Sequence, residues 1–222
     1  MQLGSLLIAT ILSTSATLAS PTGSKLVSRA STPDSEGIDN GFYYNWWADR
    51  QGNATYTNRA GGSYSVDWTN SIGQFIGGKG WTPASSTRVA SYEGTIESNG
   101  NAYLQFYGFS KTPYGDYRVL ETYGTYNPTL SGRVKGQITC DGATYDVLDI
   151  VRNPQGFELP YHQIHSVRNP KLVFGDVKGT IDVACHLAGW AALGFNVQID
   201  PAFQIIATEG YSSSGFSNIT VS

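Results

Sequence analysis

A glutamate near the end of the chain is the residue whose type and setting point most directly to chemistry. In the run Gln204-Ile205-Ile206-Ala207-Thr208-Glu209-Gly210-Tyr211, strand alternation places Glu209 on the same face as Ala207 and Tyr211, with Ile206 and Thr208 on the other. A carboxyl among apolar and aromatic neighbours holds its proton to higher pH than a free glutamate, as a general acid must. The same residues also fit a solvated glutamate at a strand end, and the segment by itself leaves both readings open. The histidines offer less. His162 and His165 lie two apart on a β run, a spacing that can hold a metal, but no third His, Cys or acid pair accompanies them, so no metal site is expected.

The elements that must position such a carboxyl are short strands. From Gly41 to Ile150 the chain is a succession of β runs cut by glycine- and asparagine-rich turns, including Phe42 to Trp47, Ser63 to Trp68, Ala102 to Ser110, Tyr117 to Tyr126 and Thr144 to Val151. This spacing predicts an all-β, two-sheet antiparallel sandwich without βαβ units. One exception lies between Thr180 and Gly194, where Val183, Leu187, Trp190 and Ala191 recur at helical spacing. A single helix is expected there, with Thr180 as N-cap, Asp182 in the first turn and Gly194 just past the end.

With 222 residues and 40% hydrophobic content, the chain is long enough for one sizeable core. Residues 1–19 read as a signal peptide: no charged side chain, an apolar run from Leu3 to Leu12 too short to span a bilayer, and small residues before the cleavage point. Residues 20–36, rich in Ser, Thr and Pro, read as a linker or pro-segment, leaving 37–222 as one domain. The expected location is therefore secreted and extracellular.

A net charge of −3, with 14 Lys plus Arg and no basic run, argues against nucleic acid and anionic membranes as partners. The 14 Tyr and five Trp exceed what one core needs and suit a carbohydrate groove, where sugar faces lie on rings and polar tips bond hydroxyls; a Tyr-rich sandwich with aromatic cross-strand pairs has the same composition. Cys140 and Cys185, an even count in a secreted chain, favour a disulfide. Asn53-Ala54-Thr55 and Asn218-Ile219-Thr220 are N-glycosylation sequons, expected at the surface.

Several separated motifs together resemble the glycoside hydrolase family 11 endo-1,4-β-xylanases, over roughly 40 to 222. They are Asn40-Gly41-Phe42-Tyr43-Tyr44-Asn45-Trp46-Trp47, Gly77-Gly78-Lys79-Gly80-Trp81, Tyr103-Leu104-Gln105-Phe106-Tyr107-Gly108, Gly124-Thr125-Tyr126-Asn127-Pro128, Ser166-Val167-Arg168 and the terminal Ala207-Thr208-Glu209-Gly210-Tyr211. The resemblance implies a β jelly roll with one helix and a cleft across its concave face, acting on xylan or another β-linked polysaccharide. It implies no cofactor, a monomer, and proteinaceous xylanase inhibitors as further partners. Some relatives pair cysteines placed like Cys140 and Cys185.

The chemistry implied is retaining glycoside hydrolysis by two carboxylates, with Glu209 as acid/base. The family's nucleophile is the glutamate of a Pro-x-x-Glu-Tyr-Tyr run. The matching segment is Pro113-Tyr114-Gly115-Asp116-Tyr117-Arg118, which puts Asp116 at that position and Arg118 where a tyrosine is usual. Glu121 is the rival acid, but alternation sets Asp116, Arg118 and Leu120 on one face and Glu121 on the other unless a bulge intervenes. Resemblance further places Trp47, Tyr107, Tyr126 and Tyr211 along the cleft, makes Gln74 the partner of the acid/base, and keeps Arg152 and Gln163 as flanks of a thumb hairpin. That hairpin, Asn153 to His162, lacks the family's Pro-Ser-Ile tip, Phe109 and His165 stand where tryptophans are usual, and His186 matches a helix histidine expected to pack.

Overall fold

The computed structural model describes residues 31–49, 53–71, 73–153 and 159–222. Its strands are β1 (Ser35–Asp39), β2 (Phe42–Ala48), β3 (Asn53–Asn58), β4 (Ser63–Ser71), β5 (Phe75–Trp81), β6 (Val89–Ser98), β7 (Asn101–Thr112), β8 (Gly115–Tyr123), β9 (Val134–Cys140), β10 (Ala143–Arg152), β11 (Tyr161–Asn169), β12 (Gly175–Asp182), β13 (Gln198–Tyr211) and β14 (Ser213–Val221). One helix, α1 (Val183–Ala192), and a 3-10 turn at Pro128–Ser131 complete the described elements. The signal-peptide reading of residues 1–19 lies outside the described residues.

The strands form a nine-stranded sheet, ordered β1-β2-β5-β13-β7-β8-β11-β10-β9, and a five-stranded sheet, ordered β12-β6-β14-β4-β3. The two-sheet sandwich with one helix is as expected. One pairing departs from the antiparallel expectation: β11 runs parallel to β8. The β9–β10 hairpin occupies the sheet edge, and β11 then enters between β10 and β8, which fixes its direction.

Alternation along each strand divides the side chains between an inter-sheet core and the outer face of the larger sheet. In β2, Trp46 is in the core while neighbouring Trp47 is 42% exposed. In β13, Ile206 joins the main core, and Thr208 bonds Tyr64 and Ser217 of the facing sheet. Ile205 and Ala207 pack on the other side with Tyr43 and Phe203. The core is dominated by rings, among them Trp46, Tyr64, Tyr92, Phe106, Tyr145 and Trp190, each nearly or fully enclosed and each contributing large apolar contact area. Gly78 shows how tightly the sheet is built at β5: a Cβ there would lie 1.9 Å from the Ile206 carbonyl oxygen.

Two boundaries differ from the sequence expectation. The chain assigned to a linker up to residue 36 is already folded at Thr32, whose carbonyl accepts from Trp46 Nε1 at 2.9 Å, and at Asp34, whose Oδ1 accepts from Ala48 N at 3.1 Å. Composition missed this because these residues pair as isolated polar anchors, without periodicity. The helix is capped by Asp182, which accepts from Ala184 N and Cys185 N, and not by Thr180, which is the antepenultimate residue of β12. An aspartate at this position satisfies free N–H groups and complements the helix dipole. Gly194, at φ +91°, ends the helix as expected.

The helix is tied to β9 by a Cys140–Cys185 disulfide with a Cα–Cα distance of 5.9 Å. His186 packs as expected, its ring nitrogens 3.0 Å from Ser166 Oγ and 2.9 Å from Asp141 Oδ2. Asn218 is exposed on β14, whereas Asn53 on β3 is half-buried. Among the described residues no group of His, Cys, Asp and Glu has metal-site geometry, and no helix is long and apolar enough to cross a membrane.

Candidate active site

Asp116 is the second residue of β8, in register with Phe109 of β7 and Gln163 of β11, and Arg118 follows in register with Tyr107 and His165. Glu209 lies two strands away on β13, in register with Tyr103 of β7. The intervening strand brings both acids to one face of the sheet, where Asp116 is 2% and Glu209 3% exposed. Arg118 lies between them. Its Nε donates to Asp116 Oδ1 at 2.8 Å and its Nη1 to Glu209 Oε2 at 2.7 Å. The guanidinium carbon also sits 5.1 Å from the centroid of the Tyr107 ring, a cation–π distance.

The remaining carboxylate oxygens are filled by neutral donors. Asp116 Oδ2 accepts from Tyr161 OH at 3.0 Å and Gln163 Nε2 at 3.2 Å. Glu209 Oε1 accepts from Gln74 Nε2 at 2.6 Å, and Oε2 also from Gln105 Nε2 at 2.5 Å. Burial alone would raise the pKa of Asp116, but the charge and hydrogen bond of Arg118, with the Gln163 bond, outweigh it and hold the carboxyl below its ordinary value. Burial likewise works against the Arg118 charge, and the two acids reverse that and hold it firmly protonated. The setting of Glu209 corrects the sequence expectation. Its immediate partners are three hydrogen-bond donors, one of them a cation, rather than apolar groups.

Glu121 is excluded from this face. A bulge does occur in the β7–β8 pairing beside it, yet the side chain turns between the sheets. There it is 1% exposed and accepts from Tyr92 OH, Tyr145 OH and Arg168 Nη1 at 2.6, 2.6 and 2.8 Å.

Two adjoining depressions share Gln74, Arg118 and Gln163 and divide the other expected residues between them. The first, about 380 Å³, includes Trp47, Tyr107, Phe109, Asp116 and Tyr161. The second, about 320 Å³, includes Tyr126, Arg152, His165, Glu209 and Tyr211. The thumb flanks pair directly, Arg152 Nε donating to Gln163 Oε1 at 2.8 Å; residues 154–158 of that hairpin lie outside the described residues. His165 is 6% exposed, and neither ring nitrogen has a hydrogen-bond partner. Burial, then the nearby Arg118, pushes its pKa down to about 3, so the ring is neutral at ordinary pH.

Two buried acids from separate strands, on the floor of a tyrosine-lined cleft in a β sandwich, match what a glycoside hydrolase requires. The comparisons identify the family. The model of glycosyl hydrolases family 11 matches residues 39–220, and the chain belongs to that family. It is 46% identical over 194 residues to endo-1,4-β-xylanase A of Schizophyllum commune, covering 86% of this chain and 98% of that one. It is 44% identical over 205 residues to endo-1,4-β-xylanase 1 of Leucoagaricus gongylophorus, covering 90% and 88%. A solved structure described as a structural comparison of two major endo-1,4-β-xylanases from Trichoderma reesei superposes with a TM-score of 0.71 at 31% identity, over 81% of this chain and 97% of that one.

Sequence reasoning gave no role to Gln105, Tyr161 or Tyr103. Gln105 was within reach, since it lies two residues before Tyr107 and strand alternation sets both on one face. Tyr161 stands in the same relation to Gln163. Its bond to Asp116 depends on the parallel β8–β11 pairing, which no local pattern announces.

Proposed function

We propose that the protein is a secreted endo-1,4-β-xylanase that cleaves internal xylosidic bonds of xylan with retention, Glu209 serving as acid/base and Asp116 as nucleophile. The observation that carries this reading is the convergence of Asp116 and Glu209 on one guanidinium in the cleft floor. Asp116 attacks the anomeric carbon as Glu209 protonates the leaving oxygen; water, activated by Glu209, then releases the glycosyl group from Asp116. Trp47, Tyr107, Tyr126 and Tyr211 offer ring faces and hydroxyls to the sugar chain, and Gln74 orients Glu209.

Turnover is slow in this reading. An aspartate retracts the carboxylate by about 1.5 Å relative to glutamate, and Arg118, bonded to Glu209 Oε2 at 2.7 Å, must leave that oxygen before it can meet the leaving group. The Arg118–Glu209 bond also favours a second reading, a family relative that binds xylan without turning it over. Proton NMR of xylo-oligosaccharide during the first turnovers separates the two. Retaining hydrolysis forms the β-anomer first; initial formation of the α-anomer overturns the retaining mechanism, and binding without new reducing ends supports the second reading.

A further inference from the structure

Strand β14 alternates sharply between core and solvent. Ile219 and Val221 join the inter-sheet core, while Phe216, Asn218 and Thr220 point outward from the five-stranded sheet. The three outward residues belong to the run Phe216-Ser217-Asn218-Ile219-Thr220, whose last three residues form an N-glycosylation sequon. β14 is the middle strand of its sheet, between β6 and β4. The sequon therefore stands on the face turned away from the core and from the larger sheet that holds the cleft. Asn218 is exposed and its side chain makes no hydrogen bond among the described residues, whereas Asn53, in the other sequon, is half-buried. Phe216 leaves 42% of its surface in water, and two residues of strand put it only about 7 Å from Asn218. Beside Asn218, toward β6 and β12, lies an open depression of about 430 Å³ next to Thr95, Asp176 and Lys178. A bulky substituent on the Asn218 amide has room there.

We propose that Asn218 carries an N-linked glycan and that the first N-acetylglucosamine of that glycan packs on the ring of Phe216. The inference rests on the reading of the protein as secreted, the setting in which such a sequon is modified. In the transfer, Asn218 Nδ2 bonds to the anomeric carbon of a lipid-pyrophosphate-linked oligosaccharide. The bond from that carbon to the pyrophosphate oxygen breaks, the lipid pyrophosphate leaves with the electron pair, and Nδ2 gives up one proton. The product is a secondary amide that keeps one N–H. Thr220 supplies the hydroxyl that the acceptor sequence requires, and strand alternation sets it on the same face as Asn218. The strand also holds Phe216 and Asn218 side by side in a fixed geometry, so ring and sugar meet without the entropy cost of ordering a loop. Covering the ring with the apolar face of the sugar removes exposed apolar surface from water, while the sugar hydroxyls stay hydrated.

Expression of the full chain, with its own N-terminal segment, in a eukaryotic secretory host tests this. Peptide mass mapping of the secreted protein after peptide:N-glycosidase treatment is expected to find Asn218 converted to aspartate, the mark of a released glycan. Asn218→Gln and Thr220→Ala should each lose that glycan. Packing on Phe216 is read from urea unfolding after every protein has been trimmed to single innermost N-acetylglucosamines. The parent is expected to have an unfolding equilibrium constant about fivefold below that of Thr220→Ala or Asn218→Gln, and Phe216→Ser should abolish the difference. A secreted protein with no glycan at Asn218 overturns the inference and leaves the secretion reading standing. A chain found without a glycan inside the cell overturns both. A glycan at Asn218 whose stabilising effect is absent, or survives Phe216→Ser, overturns the packing on that ring.

Discussion

Aspartate at position 116 is one methylene shorter than the glutamate its family relatives are expected to carry, and Arg118 occupies the space between the two acids. These substitutions act together. A misplaced nucleophile of order 1 Å can cost about 10²-fold in rate, so Asp116→Glu is expected to raise xylanase activity by roughly tenfold or more. Arg118→Tyr should add to that gain. Without the guanidinium, Glu209 Oε2 loses its 2.7 Å partner and is free to meet the leaving oxygen. Initial rates of the two single variants and the double variant check this; a double variant no faster than the parent contradicts it. His165 gives a second residue-level expectation. Its folded pKa of about 3 lies below the ordinary 6.5, so the folded state disfavours the protonated ring. The stability this implies is complete above pH 6.5 and is lost as pH falls toward 3, amounting to about 2 kcal/mol by pH 5. Urea midpoints at pH 7 and pH 5 should therefore diverge less in His165→Phe than in the parent.

Single elements explain why the acids separate as they do. Strand β8 presents Asp116 and Arg118 to the cleft and Glu121 to the core, an outcome legible from alternation alone because the bulge beside Glu121 leaves its direction unchanged. The partners of Glu121 were not legible, since Tyr92, Tyr145 and Arg168 come from three other strands. Glu121→Gln is expected to destabilise the fold by several kcal/mol, the cost of breaking a buried ionic network, while the folded fraction retains its rate per molecule. Thermal melts and active-site-normalised rates separate these effects, and a normal melting temperature with abolished activity would make Glu121 catalytic. The helix offers a parallel case. Its spacing and terminal glycine were readable, but its N-cap was not, because Thr180 and Asp182 both suit a cap and β12 runs on through Asp182 to decide between them. The Cys140–Cys185 bridge closes a separation of 45 residues, for which chain entropy gives about 4 kcal/mol. Thiol titration of denatured, unreduced protein should find no free thiol, and a Cys140→Ala/Cys185→Ala pair should unfold at distinctly lower urea.

At the scale of the molecule, two sheets fold around an aromatic core and leave the other face of the larger one open, where the proposed cleft lies. Class and sheet count were legible because strand alternation is local, whereas the residues expected along the cleft came from the resemblance of the aromatic motifs to the family. The nine-stranded order and the parallel β8–β11 neighbours were not, since strand neighbours far apart in sequence leave no periodic trace. That topology is what carries Tyr161 and Gln163 to Asp116 and keeps Glu209 within reach of Arg118. The central claim is that Asp116 and Glu209, gathered by this topology, hydrolyse xylan. Its most direct test is reducing-sugar release from xylan by the parent, Asp116→Asn and Glu209→Gln proteins, each verified as folded. The account predicts measurable release by the parent and a fall of at least about 10²-fold in both variants. No release by the parent, or an Asp116→Asn protein that keeps the parent rate, would contradict it.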